Sequence, residues 1–388
     1  MSDKKYIIKN LAPWMLDELL ALSKQSNFNI IFLRQQDKFY DEGLKKLKDN
    51  GIKIYIKPYS FDQFPKKLFV VIKFFFSNLL KFRFDYNFII GIKSIYWFLR
   101  MDINLFNEES KIHAQFATQA ALLSLITKKY FDNKPRYSFT FHAYDIYFKN
   151  HWLQMLIENS YRSFSISEYN IEYLKENYNI TSNKLKLSRL GVFRDNNGKR
   201  EYKVGSKTFV LGLMSWFTQK KGIHYLMQAI LELKKKGSDV KLKLAGDGPL
   251  KSEFLEFIEK NHLTNMINYV GKVKGEEKQK FYNSINAFVL PSISLKNDQD
   301  GIPVVLMEAI AYGLPIISTE VSGIPEICID NYNGFLIKEK DVDSIVDSVV
   351  NLCENKDKIE LFSKNSLILS KDYDIQLNSM KKVKNLNW

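Results

Sequence analysis

The chain has 388 residues, 45% of them hydrophobic and 26% charged, and is long enough for two or three domains with their own cores. No uncharged apolar stretch reaches the ~18 residues of a spanning helix, and the N-terminus lacks the apolar core of a secretory signal. Two cysteines, Cys328 and Cys353, are too few for a disulfide framework. Composition therefore excludes integral-membrane, disulfide-rich, coiled-coil and collagen classes and predicts a cytoplasmic protein with reduced thiols.

The net charge of +14 is distributed unevenly along the sequence. Residues 1–200 hold 32 Lys and Arg against 19 Asp and Glu, whereas residues 201–388 hold 25 against 24. A basic first half indicates an anionic partner, for which nucleic acid, an anionic membrane surface and a phosphorylated substrate are the candidates. Surface positions filled with lysine for solubility alone explain the same excess.

Strand and helix patterns alternate through the first half. Short apolar runs predict strands, and apolar residues at helical spacing between them predict helices. The predicted strands are Tyr6–Lys9, Asn29–Leu33, Ile52–Ile56, Ile112–Phe116, Tyr137–Phe141 and Phe164–Ile166. The predicted helices lie near Leu16–Ser26, Leu68–Leu80, Thr118–Lys128 and Glu168–Asn177.

Predicted strands and helices alternate more regularly in the second half. Its predicted strands are Thr208–Met214, Val240–Ala245, Ile267–Val270, Ala287–Leu290 and Pro315–Ser318, with helices between them and a last helix near Val342–Leu352. Strict alternation with short links predicts parallel sheets covered by helices. We therefore expect an α/β protein with two Rossmann-like domains facing across a deep cleft.

A polar stretch, Arg194–Ser206, marks the expected domain boundary. It predicts a first domain over residues 1–197 and a second over residues 198–370. A C-terminal helix in residues 371–388 is expected to pack back on the first domain.

The most informative segment runs from Asp300 to Glu308. Gly301 lets the backbone approach a ligand closely, and Pro303 opens a helix whose first N–H groups are free to bind an anion. Asp300 before this helix and Glu308 in its second turn suit pairs of hydroxyl groups, because ionised carboxylates accept bidentate hydrogen bonds. A phosphate between two polyhydroxyl groups, as in a nucleotide-sugar, fits this order. Without a known relative, a helix cap or a partner of the helix dipole is the more common explanation of an acidic residue near a helix start.

Other predicted strand ends also carry polar residues. Lys220 and Lys221 follow one strand, at a place from which a lysine can reach a pyrophosphate. His142 follows another, and Asp145 three residues later is near enough to orient it. Asp247 lies in a sharp turn after a third strand. Taken singly, these residues are more often solvated lysines, a structural histidine and an aspartate that bonds its own turn.

Taken in order, these segments resemble the retaining glycosyltransferases of family 4, which have the two-domain GT-B fold. The resemblance covers essentially the whole second half, and Ser322–Glu326 and Ser138–Tyr147 narrow it to the branch that builds colanic acid, other exopolysaccharides, capsule or lipopolysaccharide. It implies a bacterial enzyme of hexosyltransferase type that needs no metal or cofactor. The implied reaction moves a sugar from a UDP- or GDP-sugar to a saccharide or lipid-linked saccharide, with retention of the anomeric configuration and without nucleic acid.

The resemblance also implies a role for each matching residue. Asp300 takes the first place of the family's acidic pair, near the donor sugar, and Glu308 takes the second, at the ribose hydroxyls. His142 is expected near the transferred sugar. The remaining donor contacts implied are Lys221 at the diphosphate, the backbone of Gly301, Ile302, Pro303 and Val304 at the sugar and diphosphate, and Val273 near the base. The residues expected to support the site are Asp145, Lys220, Trp216 and Asp247.

Two positions depart from the family pattern. The family usually has Glu where Asp300 stands, so the reach to the sugar is one methylene shorter. It usually has Arg where Trp216 stands, which removes a bidentate phosphate clamp. A lost charge-assisted hydrogen bond costs about 1.5–3 kcal/mol, and Lys220 is the nearest substitute base in the sequence.

Residues 66–100 mix Phe, Leu and Ile with seven basic residues. This mixture is typical of a helix lying on an anionic membrane, and it predicts a peripheral location on the inner face of the cytoplasmic membrane. Core helices with basic outer faces fit the pattern equally well.

Two other functions remain open at this point. A sugar-nucleotide epimerase of the same architecture acts on the donor alone. A basic membrane or nucleic-acid scaffold with a degenerate donor site is the second, motivated by the charge of the first half and by Trp216, although no RNA-binding aromatic motif is visible.

Overall fold

The computed structural model describes residues 4–34, 41–79, 85–194, 208–296 and 298–387. It divides the chain into two compact units, unit 1 with residues 1–190 and 375–388, and unit 2 with residues 191–374. The predicted domain boundary at residues 197 and 198 lies outside the described residues.

Unit 1 contains a parallel sheet in the order β3-β2-β1-β4-β5-β6-β7. Its strands are β1 (Lys4–Ile8), β2 (Asn29–Phe32), β3 (Ile54–Ile56), β4 (Lys111–Gln115), β5 (Arg136–Phe141), β6 (Arg162–Ser165) and β7 (Leu185–Leu187). The helices between them are α1 (Pro13–Ser23), α2 (Asp41–Asp49), α3 (Phe64–Ser77), α4 (Tyr86–Arg100), α5 (Gln119–Tyr130), α6 (Ala143–Tyr147), α7 (Leu153–Asn159) and α8 (Glu168–Tyr178).

Successive strand residues point to opposite sides of the sheet, and helices pack against the apolar residues on both sides. In β1, Tyr6 and Ile8 pack with Leu19 and Leu22 of α1 on one face. Ile7 points to the other face, into a core shared with α3, α4, α5 and α7. Both cores consist mainly of apolar side chains, although β4 and β5 also bury polar residues such as His113, Gln115 and Thr140.

Unit 2 contains a second parallel sheet in the order β10-β9-β8-β11-β12-β13. Its strands are β8 (Phe209–Trp216), β9 (Val240–Asp247), β10 (Ile267–Gly271), β11 (Ala287–Leu290), β12 (Ile316–Thr319) and β13 (Gly334–Ile337). Its helices are α9 (Ile223–Lys235), α10 (Lys251–Lys260), α11 (Glu276–Asn283), α12 (Val304–Ala311), α13 (Val342–Glu354) and α14 (Lys356–Leu369). The last helix of the chain, α15 (Ile375–Leu386), belongs to unit 1, where it contacts α1.

In each sheet the strand order reverses beside the first strand of the unit. The reversal lies between β1 and β4 in unit 1 and between β8 and β11 in unit 2. Loops that leave neighbouring strands in opposite directions open a crevice there, which is where ligands bind in open α/β sheets.

The predicted strands and helices are all present, with ends shifted by a few residues. The helix predicted near Leu16 begins at Pro13, because a proline at the first helical position needs no N–H partner. Trp216 is the last residue of β8 rather than part of the following loop. The elements not predicted include β7 and β13, with three and four residues, and the polar helix α2.

Candidate functional site

The strand-end residues predicted for the second half lie at the carboxyl edge of the unit 2 sheet. The loops after β8 and β11 are locked together there, since the N–H of Ile293 donates to the carbonyl of Lys220 at 2.8 Å. Gly222 has a φ of +62°, and a Cβ at this position would lie 1.7 Å from the carbonyl oxygen of Pro291. Only glycine permits this approach, which brings the two lysines before it close to the loop that ends at Asp300.

Asp300 is the centre of a buried cluster of charges. The Lys221 ammonium lies 2.9 and 2.8 Å from its two carboxylate oxygens, and Ser292 donates a hydrogen bond to Oδ2 at 2.8 Å. Lys220 binds Asp298 at 2.8 Å and lies 3.9 Å from Asp300. Both lysines and the acidic residue predicted to bind the donor are thus assembled in one place.

The neighbouring cations keep Asp300 ionised. Burial alone would raise the pKa of this carboxyl group, but the charges of Lys221 and Lys220 and the hydrogen bonds from Lys221 and Ser292 outweigh it. The pKa of Asp300 therefore lies below its usual value. A carboxylate in this state accepts hydrogen bonds from hydroxyl groups and donates none.

The loop after Asp300 leads into α12, whose N-terminus offers free donors. Among the described residues, the N–H groups of Gly301, Ile302, Val304 and Val305 have no hydrogen-bond partner, and the first N–H bonded to a helix carbonyl is that of Leu306. The ring of Pro303, at the N-cap position, has no hydrogen-bond acceptor for these groups. Free N–H groups at the positive end of a helix form an anion-binding site.

Glu308 lies in the second turn of α12 and is held by two side chains. Its Oε1 accepts from Lys278 of α11 at 2.6 Å, and its Oε2 accepts from the Tyr282 hydroxyl at 2.7 Å. Val273 lies half-buried in the loop that precedes α11. One end of α12 thus carries the free N–H groups, and a carboxylate fixed by α11 follows one turn later.

Trp216 and Asp247 occupy adjacent strand ends in the same sheet. Trp216 is 56% exposed, and the Lys272 ammonium lies 5.5 Å from its ring centroid. Lys272 also binds Asp247 at 3.0 Å, and this hydrogen bond is the main cause of the lowered pKa of Asp247. A lysine from the loop after β10 therefore lies over the ring of Trp216 and also binds Asp247.

In unit 1, His142 follows β5 and begins α6. Its ring is 7% exposed and lies between Trp14 and Phe116, with ring centroids 4.8 and 4.6 Å away. Burial lowers the pKa of His142 to about 3, with a smaller effect from the charge of Lys382. The imidazole is therefore neutral at pH 7.

Gln115 at the end of β4 determines which ring nitrogen of His142 carries the proton. The Gln115 amide nitrogen lies 2.6 Å from a carboxylate oxygen of Glu18 and 2.8 Å from the Tyr6 hydroxyl. Because the carboxylate can only accept, the amide oxygen must face His142, whose Nε2 lies 3.1 Å away. Nε2 therefore donates its proton to Gln115, and Nδ1 remains an acceptor.

Asp145 acts on the main chain of this site. Its Oδ2 accepts from the N–H of His142 at 2.8 Å and from the N–H of Ala117 at 3.0 Å. Its Oδ1 is buried without a hydrogen-bond partner among the described residues. Burial raises the pKa of Asp145 to about 7, although the two N–H groups favour the charged form. The carboxyl group thus joins the loops after β4 and β5, while Gln115 holds the ring.

The sequence did not reveal the residues that hold Gln115 and, through it, the ring of His142. Glu18 accepts from Gln115 and from Lys382 of α15, and Tyr6 joins the same network. Their only signal in the sequence is a polar residue within a predicted apolar run, which does not identify its partner. No group of three or more His, Cys, Asp or Glu able to hold a metal ion occurs in the ranges that the structure describes.

The architecture is that of the GT-B glycosyltransferases. The crystal structure of Anabaena Alr3699/HepE in complex with UDP matches with a TM-score of 0.72 at 15% identity, over 99% of both chains. Two parallel-sheet α/β domains and this match confirm the predicted fold class.

Residues 195–368 match the family described as Glycosyl transferases group 1. Over 163 residues, or 42% of its length, this chain is 32% identical to WcaL of Salmonella typhimurium, a protein named for colanic acid biosynthesis. Over 140 residues, or 36% of the chain, it is 34% identical to the amylovoran biosynthesis glycosyltransferase AmsK of Erwinia amylovora. These matches span 40% of WcaL and 34% of AmsK. The predicted resemblance to family 4 enzymes of exopolysaccharide synthesis is confirmed.

Proposed function

We propose that the protein is a glycosyltransferase that moves a sugar from a nucleotide-sugar to a saccharide acceptor in bacterial surface polysaccharide synthesis. The observation that carries the proposal is the carboxyl edge of the unit 2 sheet, where free helix N–H groups, two lysines and two carboxylates converge. The names of the relatives WcaL and AmsK support the polysaccharide class.

Each group of the donor is assigned to one part of this edge. We assign the diphosphate to Lys221 and to the backbone of Gly301–Val304, since these supply positive charge and free donors. Asp300 is proposed to bind hydroxyls of the sugar, and Glu308 those of the ribose. Val273, in the loop before α11, is proposed to border the base.

The chemistry proposed is a metal-independent hexosyl transfer with retention. The leaving diphosphate gains negative charge as the glycosidic bond breaks, and Lys221 with the N–H groups of α12 is placed to stabilise that charge. The diphosphate oxygen then takes the proton of the attacking acceptor hydroxyl on the same face of the sugar. For His142 we propose a hydrogen bond to a substrate hydroxyl through Nδ1, the nitrogen that remains an acceptor.

The acceptor is proposed to be a saccharide, either free or lipid-linked, and the reaction to take place on the cytoplasmic side. The described residues contain no helix with the length and apolar composition needed to cross a bilayer. The donor base is proposed to be uracil or guanine; uracil is the base in the HepE complex, in a protein 15% identical to this one.

Calorimetric titration with UDP, GDP and ADP and their sugar conjugates tests the donor site. We expect one nucleotide class to bind, and Glu308→Ala and Lys221→Met to weaken it at least about tenfold, since each removes a charged hydrogen bond. Lys278→Met is the matched control, because it removes the partner of Glu308 but leaves the carboxylate.

Three outcomes would contradict the proposal. Absence of binding by every nucleotide would favour the scaffold function. Equal binding by wild type and Glu308→Ala would remove the ribose assignment. Conversion of the donor to an epimer without an acceptor would indicate the epimerase.

A further inference from the structure

Helix α3 is apolar on both of its sides. On the inner side Val71 and Phe74 are buried, and Phe74 stacks on Trp152 with 6.1 Å between ring centroids. The outer side carries Leu68, Phe69, Ile72 and Phe76, spaced by one, three and four residues. Phe69 and Phe76 expose 67% and 70% of their surface. A helix that is apolar all round is normally buried all round, but no part of the chain that the structure describes covers the outer side of α3.

Helix α4 repeats the pattern. Ile90 and Trp97 are buried, while Ile89, Ile92 and Tyr96 on the outer side are 40% to 46% exposed. Helices α3 and α4 contact each other, and both pack on α5. Their outer sides therefore turn away from the same core. We call these seven exposed apolar residues the α3–α4 face.

The charged residues of α3 and α4 are all positive. The two helices contain five Lys and Arg and no Asp or Glu, and one of the five, Lys67, is buried. Lys73 and Lys93 are exposed within the two outer stripes. Arg100 at the end of α4 lies 5.1 Å from the Tyr96 ring centroid. A surface that combines large apolar side chains with lysine complements an anionic lipid surface, whereas lysine is depleted at protein interfaces.

The positive charge continues beyond α3. The Lys66 ammonium lies 4.3 Å from the ring centroid of Tyr130, the last residue of α5. A groove of about 710 Å³ lies at the same end of α5. Its cationic lining residues are Lys128, Lys129, Lys134, Arg136, Arg162 and Lys184. Burial, and then the charges of Lys184 and Lys129, lower the pKa of Lys128.

We propose that the α3–α4 face binds the surface of a bilayer that contains anionic lipid. Phe69 and Phe76 insert below the head groups, and Lys73 and Lys93 contact lipid phosphates. With 14 and 15 residues, α3 and α4 are shorter than the ~20 residues of a spanning helix, so they lie along the surface. This inference is independent of the proposed donor site, which lies in unit 2.

Flotation of the full chain with vesicles tests the inference. We expect retention on phosphatidylcholine vesicles that contain phosphatidylglycerol, weaker retention on phosphatidylcholine alone, and release at high salt. The variant Phe69→Ser/Phe76→Ser should bind at least about tenfold more weakly. Lys73→Glu/Lys93→Glu should lose at least about fivefold, and only on the anionic vesicles.

The matched control is Leu361→Ser, which removes an apolar residue of α14 that is 52% exposed. It should leave retention unchanged, and all variants should keep the thermal midpoint and nucleotide affinity of the wild type. Absence of retention at low salt would overturn the inference, as would retention that the double phenylalanine variant does not change. A third result would assign the α3–α4 face to a second copy of the chain instead. In that case the wild type does not bind vesicles and is a dimer, and Phe69→Ser/Phe76→Ser is a monomer.

Discussion

Burial determines the protonation of the neighbouring groups His142 and Asp145. Both lie at the start of α6 and are almost without solvent contact, so each is driven towards its neutral form. For the histidine this means deprotonation, and for the aspartate it means a proton retained up to about pH 7. The pair therefore changes stability with pH in opposite directions.

Asp145→Asn should remove one of these two effects. In the wild type the folded carboxyl group keeps its proton up to about pH 7, whereas the unfolded one loses it near its usual value of 3.8. The contribution of Asp145 to stability is thus present below about pH 3.8 and lost as the pH rises to about 7. Relative to the wild type, the free energy of unfolding of the variant should rise by up to about 1.4 kcal/mol per pH unit in this window. Urea unfolding measures this difference.

The control is Asp145→Ala, which leaves the N–H groups of His142 and Ala117 without their acceptor. It should be about 1–3 kcal/mol less stable than Asp145→Asn at every pH, because neither variant has the titrating carboxyl group. A stability difference between wild type and Asp145→Asn that does not change between pH 4 and 7 would contradict the raised pKa of Asp145.

At the scale of elements, α15 is joined to α1 by a buried ion pair. The side chains of Lys382 and Glu18 are 3% and 9% exposed, and the Glu18 carboxylate also accepts from Gln115. Both charges of this pair are removed from water, and each is compensated by the other. Removing one of them therefore leaves the other charge buried without compensation. The pair also supports the network behind His142.

Lys382→Met should therefore destabilise unit 1 by about 3–5 kcal/mol in urea unfolding. The double variant Glu18→Gln/Lys382→Met should be closer to the wild type, because no buried charge remains. Equal destabilisation by the single and double variants would mean that the packing of Lys382, rather than its charge, holds α15 in place.

Sequence patterns located most elements and missed those that are short or contain few apolar residues. The long apolar runs of β8 and β9 and the helical spacing of α9 are strong local signals. By contrast, α2 buries only Gly43, Leu44 and Leu47 in nine residues, and β7 has three residues. Such elements form because a sheet edge or a core stripe is already there to receive them, which no local pattern records.

At the scale of the whole molecule, each unit has its own parallel sheet and its own strand-order reversal. We expect calorimetry to resolve two unfolding transitions, since chains with several domains commonly depart from two-state behaviour. The nucleotide that binds in the titration should raise only one midpoint, by binding native unit 2, and Lys382→Met should lower only the other. A single transition that shifts as a whole in both experiments would contradict this division.

The alternation of strands and helices and the polar residues after the strands could be read from the sequence alone. The reason is that strand and helix periods are local, and the ends of parallel strands share one edge of a sheet. The position of Asp300, Gly301 and Glu308 around a helix start was predictable for the same reason. Only the tertiary structure paired Lys221 with Asp300 and Lys278 with Glu308, and joined Gln115 to His142 and Glu18. These partners are 27 to 97 residues apart in the chain, and the folded packing of the sheets alone determines their distances and their burial.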